Sequence, residues 1–179
     1  MIYAFLAEGF EETEAIATID VLRRADIAIT TVGIGGTAIT GAHGITVTAD
    51  MAEGDIDLDA MSGIFLPGGM PGTTNLDNSA TVQAAVTRCA ERELTIAAIC
   101  AAPSIIGKRG LLRGRRATCF DGFEGLLEGA LYSPTPCAVD GNYITGRGAG
   151  AVFEFALAIV AHIKGQDAAD RLKEALKCP

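Results

Sequence analysis

Short, mostly apolar runs alternate along this chain with longer segments whose apolar residues recur every three or four positions. Ile2–Ala7, Ile27–Val32, Gly63–Leu66 and Leu94–Ile99 are runs of the first kind and read as inner strands. Glu11–Ala25 (with Ile16, Ile19 and Leu22), Ser79–Glu93 (with Val82, Val86 and Cys89), Val152–Lys164 and Gln166–Lys177 are of the second kind and read as helices. A strand with no polar face must be covered on both sides, and a helix between two strands returns the chain in parallel. The pattern therefore predicts an α/β fold with a mostly parallel sheet and helices on both faces. Ala38–Thr40 and Ile45–Thr48 alternate like a small hairpin, while Arg116–Phe120, Tyr132–Val139 and Tyr143–Thr145 read as further strands. A short helix near Phe123–Glu128 separates the first two of these. No repeat or linker interrupts the 179 residues, so one domain over 1–179 is expected.

Charge and cysteine content narrow the function classes. Fourteen Lys and Arg against 22 Asp and Glu give a net charge of −8. The only basic cluster, Arg113, Arg115 and Arg116, is too short to serve nucleic acid or an anionic membrane and reads as a solvated loop. The most apolar stretch, Ala151–Ile163, is interrupted by Glu154 and His162 and falls short of the roughly 20 residues of a membrane span. The opening MIYAFLAEGFEE lacks the basic region of a signal peptide, so a cytoplasmic location is expected. Five cysteines without C-x-x-C spacing, and only His43 and His162 beside them, argue for separate reduced thiols and against a metal cage.

The first chemical candidate is Cys100, in AAICAAP at a predicted strand end, where open α/β sheets place their sites. Ala98 and Ala102 supply the small neighbours that a sharp strand-to-helix nucleophile elbow requires. The N-terminus of the following helix is expected to lower the thiol pKa. The same residues also fit a buried structural thiol, and local sequence does not separate the two. The second candidate is Leu66-Pro67-Gly68-Gly69-Met70, whose glycines allow close backbone approach and expose N–H donors suited to an oxyanion, or simply form a turn. In EGFEETEA, Glu11 and Glu12 read as complements to a helix dipole. Glu14 lines up with Thr18, Val21 and Leu22, facing inward, where a carboxyl beside a thiolate would retain a shared proton.

Two glycine strings fit G-x-G-x-x-A, at Gly33–Ala38 and Gly146–Ala151. The first leads into a hairpin and the second is followed by no further strand, so neither builds a dinucleotide crevice, and no cofactor is expected. Arg147 is placed to hold an anion near the strand ends or to form a structural salt bridge. His43 fits only a peripheral contact.

In order, the segments EGFEETEA, LPGG, AAICAAP, ATCF and TGRGAGAVFEFALAIV closely resemble the ThiJ/PfpI superfamily, in the branch of YajL and the parkinsonism-associated deglycase. The resemblance covers essentially the whole chain. It implies a flavodoxin-like three-layer sandwich, a homodimer, Cys100 as nucleophile, Glu14 as its protonated partner, and Gly69 and Ala101 as backbone donors, with Gly68 beside them. It further implies action on reactive α-oxoaldehydes or their adducts on amines and thiols, or alternatively a role as a redox-responsive chaperone or oxidative-stress sensor. The chain departs from the family pattern at three places. Ala101 replaces the histidine of protease-like members, which argues against peptidase chemistry. Phe120 replaces another histidine, with Cys119 before it as a candidate resolving thiol. His43 stands where an arginine reaches across the dimer.

Overall fold

The computed structural model describes residues 1–178. Its centre is a seven-stranded sheet of β1 (Ile2–Leu6), β2 (Ile29–Gly33), β5 (Met51–Ala52), β6 (Gly63–Leu66), β7 (Thr95–Ile99), β10 (Cys137–Asp140) and β11 (Tyr143–Gly146). The order is β10-β11-β7-β6-β1-β2-β5, and all neighbours are parallel except the edge pair β10 and β11. Two small pairs lie outside it: the antiparallel hairpin of β3 (Ala38–Thr40) and β4 (Thr46–Thr48), and the parallel pair of β8 (Arg116–Ala117) and β9 (Leu131–Tyr132).

Alternation along each strand divides the core. Tyr3, Phe5, Ile64, Leu66, Ile96 and Ala98 pack on one face, with Val82, Val86 and Cys89 of α3 (Ala80–Glu91) and Ile105 and Ile106 of α4 (Pro103–Gly107). Ile2, Ala4, Phe65, Ala97 and Ile99 pack on the other, against α1 (Glu12–Arg24), α5 (Val152–Lys164) and α6 (Gln166–Leu176). The chain is thus the three-layer α/β sandwich expected, and no helix of the described residues is long and apolar enough to cross a membrane.

The structure corrects the sequence reading at several elements. Tyr132–Val139 is not one strand: Pro134 and Pro136 lack the N–H that a continuous ladder needs, and pairing stops at Tyr132 and resumes at Cys137. Arg116–Phe120 keeps ladder pairing only at Arg116 and Ala117, and the helix expected near Phe123–Glu128 is a single 3-10 turn at Glu124–Leu126. An unforeseen helix, α2 (Gly72–Asn78), follows the LPGG segment. Its sequence GTTNLDN has weak helix propensity. Tertiary anchoring overrides that: buried Thr73 donates its N–H to Gly69 O at 2.8 Å, and Leu76 is fully buried.

Candidate active site

The carboxyl ends of β1, β6 and β7, adjacent in the sheet, carry EGFEETEA, LPGG and AAICAAP respectively, so topology alone brings these three distant segments together. Cys100 follows β7 directly and has φ of +66°, a left-handed conformation that costs a non-glycine residue about 1–3 kcal/mol. Its backbone is fixed from two sides: Cys100 N–H donates to Gly146 O at 2.9 Å, and Phe120 N–H donates to Cys100 O at 2.8 Å. Ala98 and Ala102 are fully buried around the turn. The thiol is partly exposed and packs at the edge of the core shared with α5.

Glu14 lies in the first turn of α1, whose N-cap is Glu11; the Glu11 carboxylate accepts the Glu14 N–H at 2.6 Å. Its side chain is 1% exposed, receives the Gly68 N–H at 2.9 Å, and shares a hydrogen bond with the Cys100 thiol. Gly68 is glycine for lack of space: a Cβ there would fall 2.5 Å from Cys100 Cβ and 2.6 Å from Glu14 Oε2. Gly69 has φ of +91°, and its N–H, with that of Ala101, lies near enough to the sulfur to favour its charged form.

Burial raises the Glu14 carboxyl to about 7, and the neighbouring Glu11 charge adds to this, against the lowering effect of the Cys100 and Gly68 hydrogen bonds. Burial also pushes the Cys100 thiol up to about 12, reinforced by the charge and hydrogen bond of Glu14, while the Ala101 and Gly69 N–H groups favour the thiolate. The expected dipole-lowered thiol is therefore not what the site builds, because the sulfur is itself largely buried, Glu14 faces it, and α4 has only five residues. The site instead resists a second negative charge: both groups are protonated below about 7, and above it thiol and carboxyl together hold one proton. Proton transfer from Cys100 to Glu14 would turn the thiol into a nucleophile without changing the charge of the pair.

The remaining candidates take other places. Arg147 is a salt-bridge residue: its Nη2 and Nε donate to Asp121 Oδ1 at 2.7 and 3.1 Å, and its Nη1 donates to Pro134 O at 3.0 Å. Cys119 is fully buried in the core on the opposite face from the one Cys100 packs against, with its thiol pushed up to about 12 by burial. His43 is 71% exposed and pairs within the same chain with Glu12, at 2.8 Å through Nδ1.

Glu12 is the residue that the sequence reading undervalued. It is 6% exposed, and beyond His43 Nδ1 it accepts the backbone N–H groups of His43 at 2.7 Å and Ile45 at 3.3 Å. Its carboxyl locks the turn between β3 and β4 onto α1. Among the described residues, Glu11, Glu12 and His43 are the group whose potential ligand atoms lie within 4.8 Å of one another, but these carboxylates already serve as hydrogen-bond acceptors inside the protein.

Residues 1–162 match the DJ-1/PfpI family. The chain belongs to that family. It is 35% identical to the Parkinson disease protein 7 homolog of Danio rerio over 181 positions, covering 96% of this chain and 93% of that one. A protein named a deglycase from Pyrococcus abyssi is 29% identical, with 88% and 96% covered. DJ-1 homolog B of Arabidopsis thaliana is 35% identical but longer, and the chain spans 39% of its length. The fold matches a DJ-1 superfamily protein from Salmonella typhimurium, crystallised as a cysteine-to-alanine variant, with a TM-score of 0.93, 34% identity, and 99% and 98% of the two chains covered. These likenesses place the chain in the flavodoxin-like sandwich of the DJ-1 superfamily.

Proposed function

We propose that the protein is a cysteine-dependent glyoxalase or deglycase that needs no metal or organic cofactor and acts on α-oxoaldehydes or their early adducts on amines and thiols. The observation that carries the reading is the convergence at one sulfur of a buried carboxyl raised to about 7 and two backbone N–H donors. The archaeal relatives named deglycases support it. In this reading Glu14 takes the Cys100 proton as the sulfur adds to the aldehyde carbon, giving a hemithioacetal whose oxygen is steadied by the Gly69 and Ala101 N–H groups. Glu14 hands that proton to the new oxygen, then relays a proton from the former aldehyde carbon to the adjacent carbonyl carbon while the hydroxyl proton passes to the former carbonyl oxygen, leaving a thioester of a 2-hydroxy acid. Water hydrolyses that ester and restores the thiol, so the net change is addition of one water to the oxoaldehyde. With a hemiaminal adduct the C–S bond forms as the C–N bond breaks, and Glu14 passes the Cys100 proton to the departing amine, which gives the same hemithioacetal and the intact amine.

The test is lactate formation from methylglyoxal in the presence of a chelator, comparing wild type with Cys100→Ser and Glu14→Gln. Turnover that both substitutions remove supports the reading; equal, negligible rates in all three overturn it. A second reading is favoured by the same donors, which suit the oxygens of an oxidised sulfur: a redox-responsive chaperone or sensor in which Cys100 stops at sulfinate. Mass spectrometry after limited peroxide treatment, showing two added oxygens on Cys100 and none on Cys89, tests it.

In either reading the protein works as a homodimer in the cytoplasm. α1 and the β3–β4 turn carry the exposed Ile16 and Ile45, apolar surface that a second copy would cover, and the free thiols suit a reducing compartment. Light scattering at micromolar concentration tests the association.

A further inference from the structure

Two large apolar side chains stand exposed beside the segments that build the thiol site. Phe120, 50% exposed, donates its backbone N–H to Cys100 O at 2.8 Å. Its ring lies over Gly148, where an added Cβ would fall 3.3 Å from the ring edge. Gly148 follows closely on Gly146, whose carbonyl takes the Cys100 N–H. The ring thus spans the two segments that clamp the backbone of Cys100. Met70, 53% exposed, closes the turn whose Gly68 lies against Cys100, where an added Cβ would fall 3.1 Å from the sulfur. The cation in this neighbourhood, Arg147, has its three nitrogens committed to Asp121 and the Pro134 carbonyl. An anionic substituent arriving at Cys100 must therefore compete with Asp121 for Arg147, whereas an apolar one can cover an exposed aromatic ring and a thioether.

We propose that Phe120, with Met70, forms an apolar rim that selects the substituent of the electrophile reaching Cys100, so that the enzyme favours α-oxoaldehydes bearing an aryl or bulky alkyl group over glyoxal itself. The inference rests on the glyoxalase reading above and adds the substrate class. Phe120 contributes its ring only, since its backbone bond to Cys100 survives any replacement but proline.

The test is the ratio of kcat/KM for phenylglyoxal, which yields mandelate, to that for glyoxal, which yields glycolate. It is measured for wild type, Phe120→Ala, Phe120→Leu and Met70→Ala. The ratio is expected to exceed one in wild type and to fall about tenfold in Phe120→Ala, with smaller falls of about threefold in Phe120→Leu and Met70→Ala. A ratio unchanged in Phe120→Ala, with turnover that still needs Cys100, overturns the rim and leaves the glyoxalase reading standing. Should no aldehyde be turned over, that reading falls, and Cys100 alkylation by N-phenyliodoacetamide relative to iodoacetamide judges the rim alone. An aryl preference that Phe120→Ala removes sustains the rim, and a preference that persists in this variant overturns it.

Discussion

Glu12 and Glu14 sit two residues apart in the first turn of one helix, both buried, yet their carboxyls move in opposite directions. Burial raises both. For Glu14 it prevails, because only the Gly68 N–H and the Cys100 thiol oppose it and Glu11 adds repulsion, and the carboxyl reaches about 7. For Glu12 it is outweighed by His43 Nδ1 and by backbone N–H donors including those of His43 and Ile45, and the carboxyl falls to about 2. The number and kind of donors, more than burial, decides whether a buried acid holds a charge or holds a proton. One carboxylate fastens a loop, while its neighbour is left able to exchange a proton with a thiol.

The largest way to disturb the comparison is Gly68→Ala. The added methyl meets Cys100 and Glu14 together, and we expect a loss of about 2 kcal/mol in urea unfolding and a collapse of Cys100 reactivity. Next is Glu14→Gln. Because its folded-state pKa is raised, wild type loses stability as pH rises from about 4.5 through about 7, and the variant does not. Between pH 4.5 and 8 the variant should therefore gain on wild type by about 3 kcal/mol.

Glu12→Gln should act in the opposite sense. It costs about 1–2 kcal/mol at pH 7, a deficit that closes as pH falls from about 4.5 towards 2, where the wild-type carboxyl is itself protonated. His43→Ala gives the smallest effect, since the ring is exposed and the backbone N–H of residue 43 still binds Glu12. The His43 pKa is raised by Glu12, so what it contributes is present below about 6.5 and lost at higher pH. A thermal melt of His43→Ala should fall slightly below wild type at pH 6 and coincide with it at pH 9.

Most of the sheet was legible because its strands are apolar on both sides, a pattern that Ile2–Leu6, Gly63–Leu66 and Thr95–Ile99 carry locally. The turn at Cys100 was legible for a related reason: it stands at the end of such a strand, and small residues on both sides leave room for its left-handed backbone, although the local sequence fits a buried structural thiol equally. What escaped depends on distant partners. α2 is helical through its anchors, not its propensity. The role of Glu12 lies in a turn 31 residues away, and an acidic residue in a first helical turn looks the same whether or not such a turn docks on it. Likewise the raised thiol pKa follows from burial of the sulfur, reinforced by Glu14 facing it, and this outweighs what the strand-to-helix junction suggests by itself.

The central claim is that Cys100 gains its reactivity by passing its proton to Glu14. The most direct measurement is the pH dependence of Cys100 alkylation by iodoacetamide in wild type and Glu14→Gln. Below about 7 both groups are protonated, and above it one proton remains, so the wild-type rate should rise through a midpoint near 7 and level off. In Glu14→Gln that step should vanish, with the rate at pH 7.5 lowered about tenfold or more. Superimposable profiles for the two proteins would contradict the account.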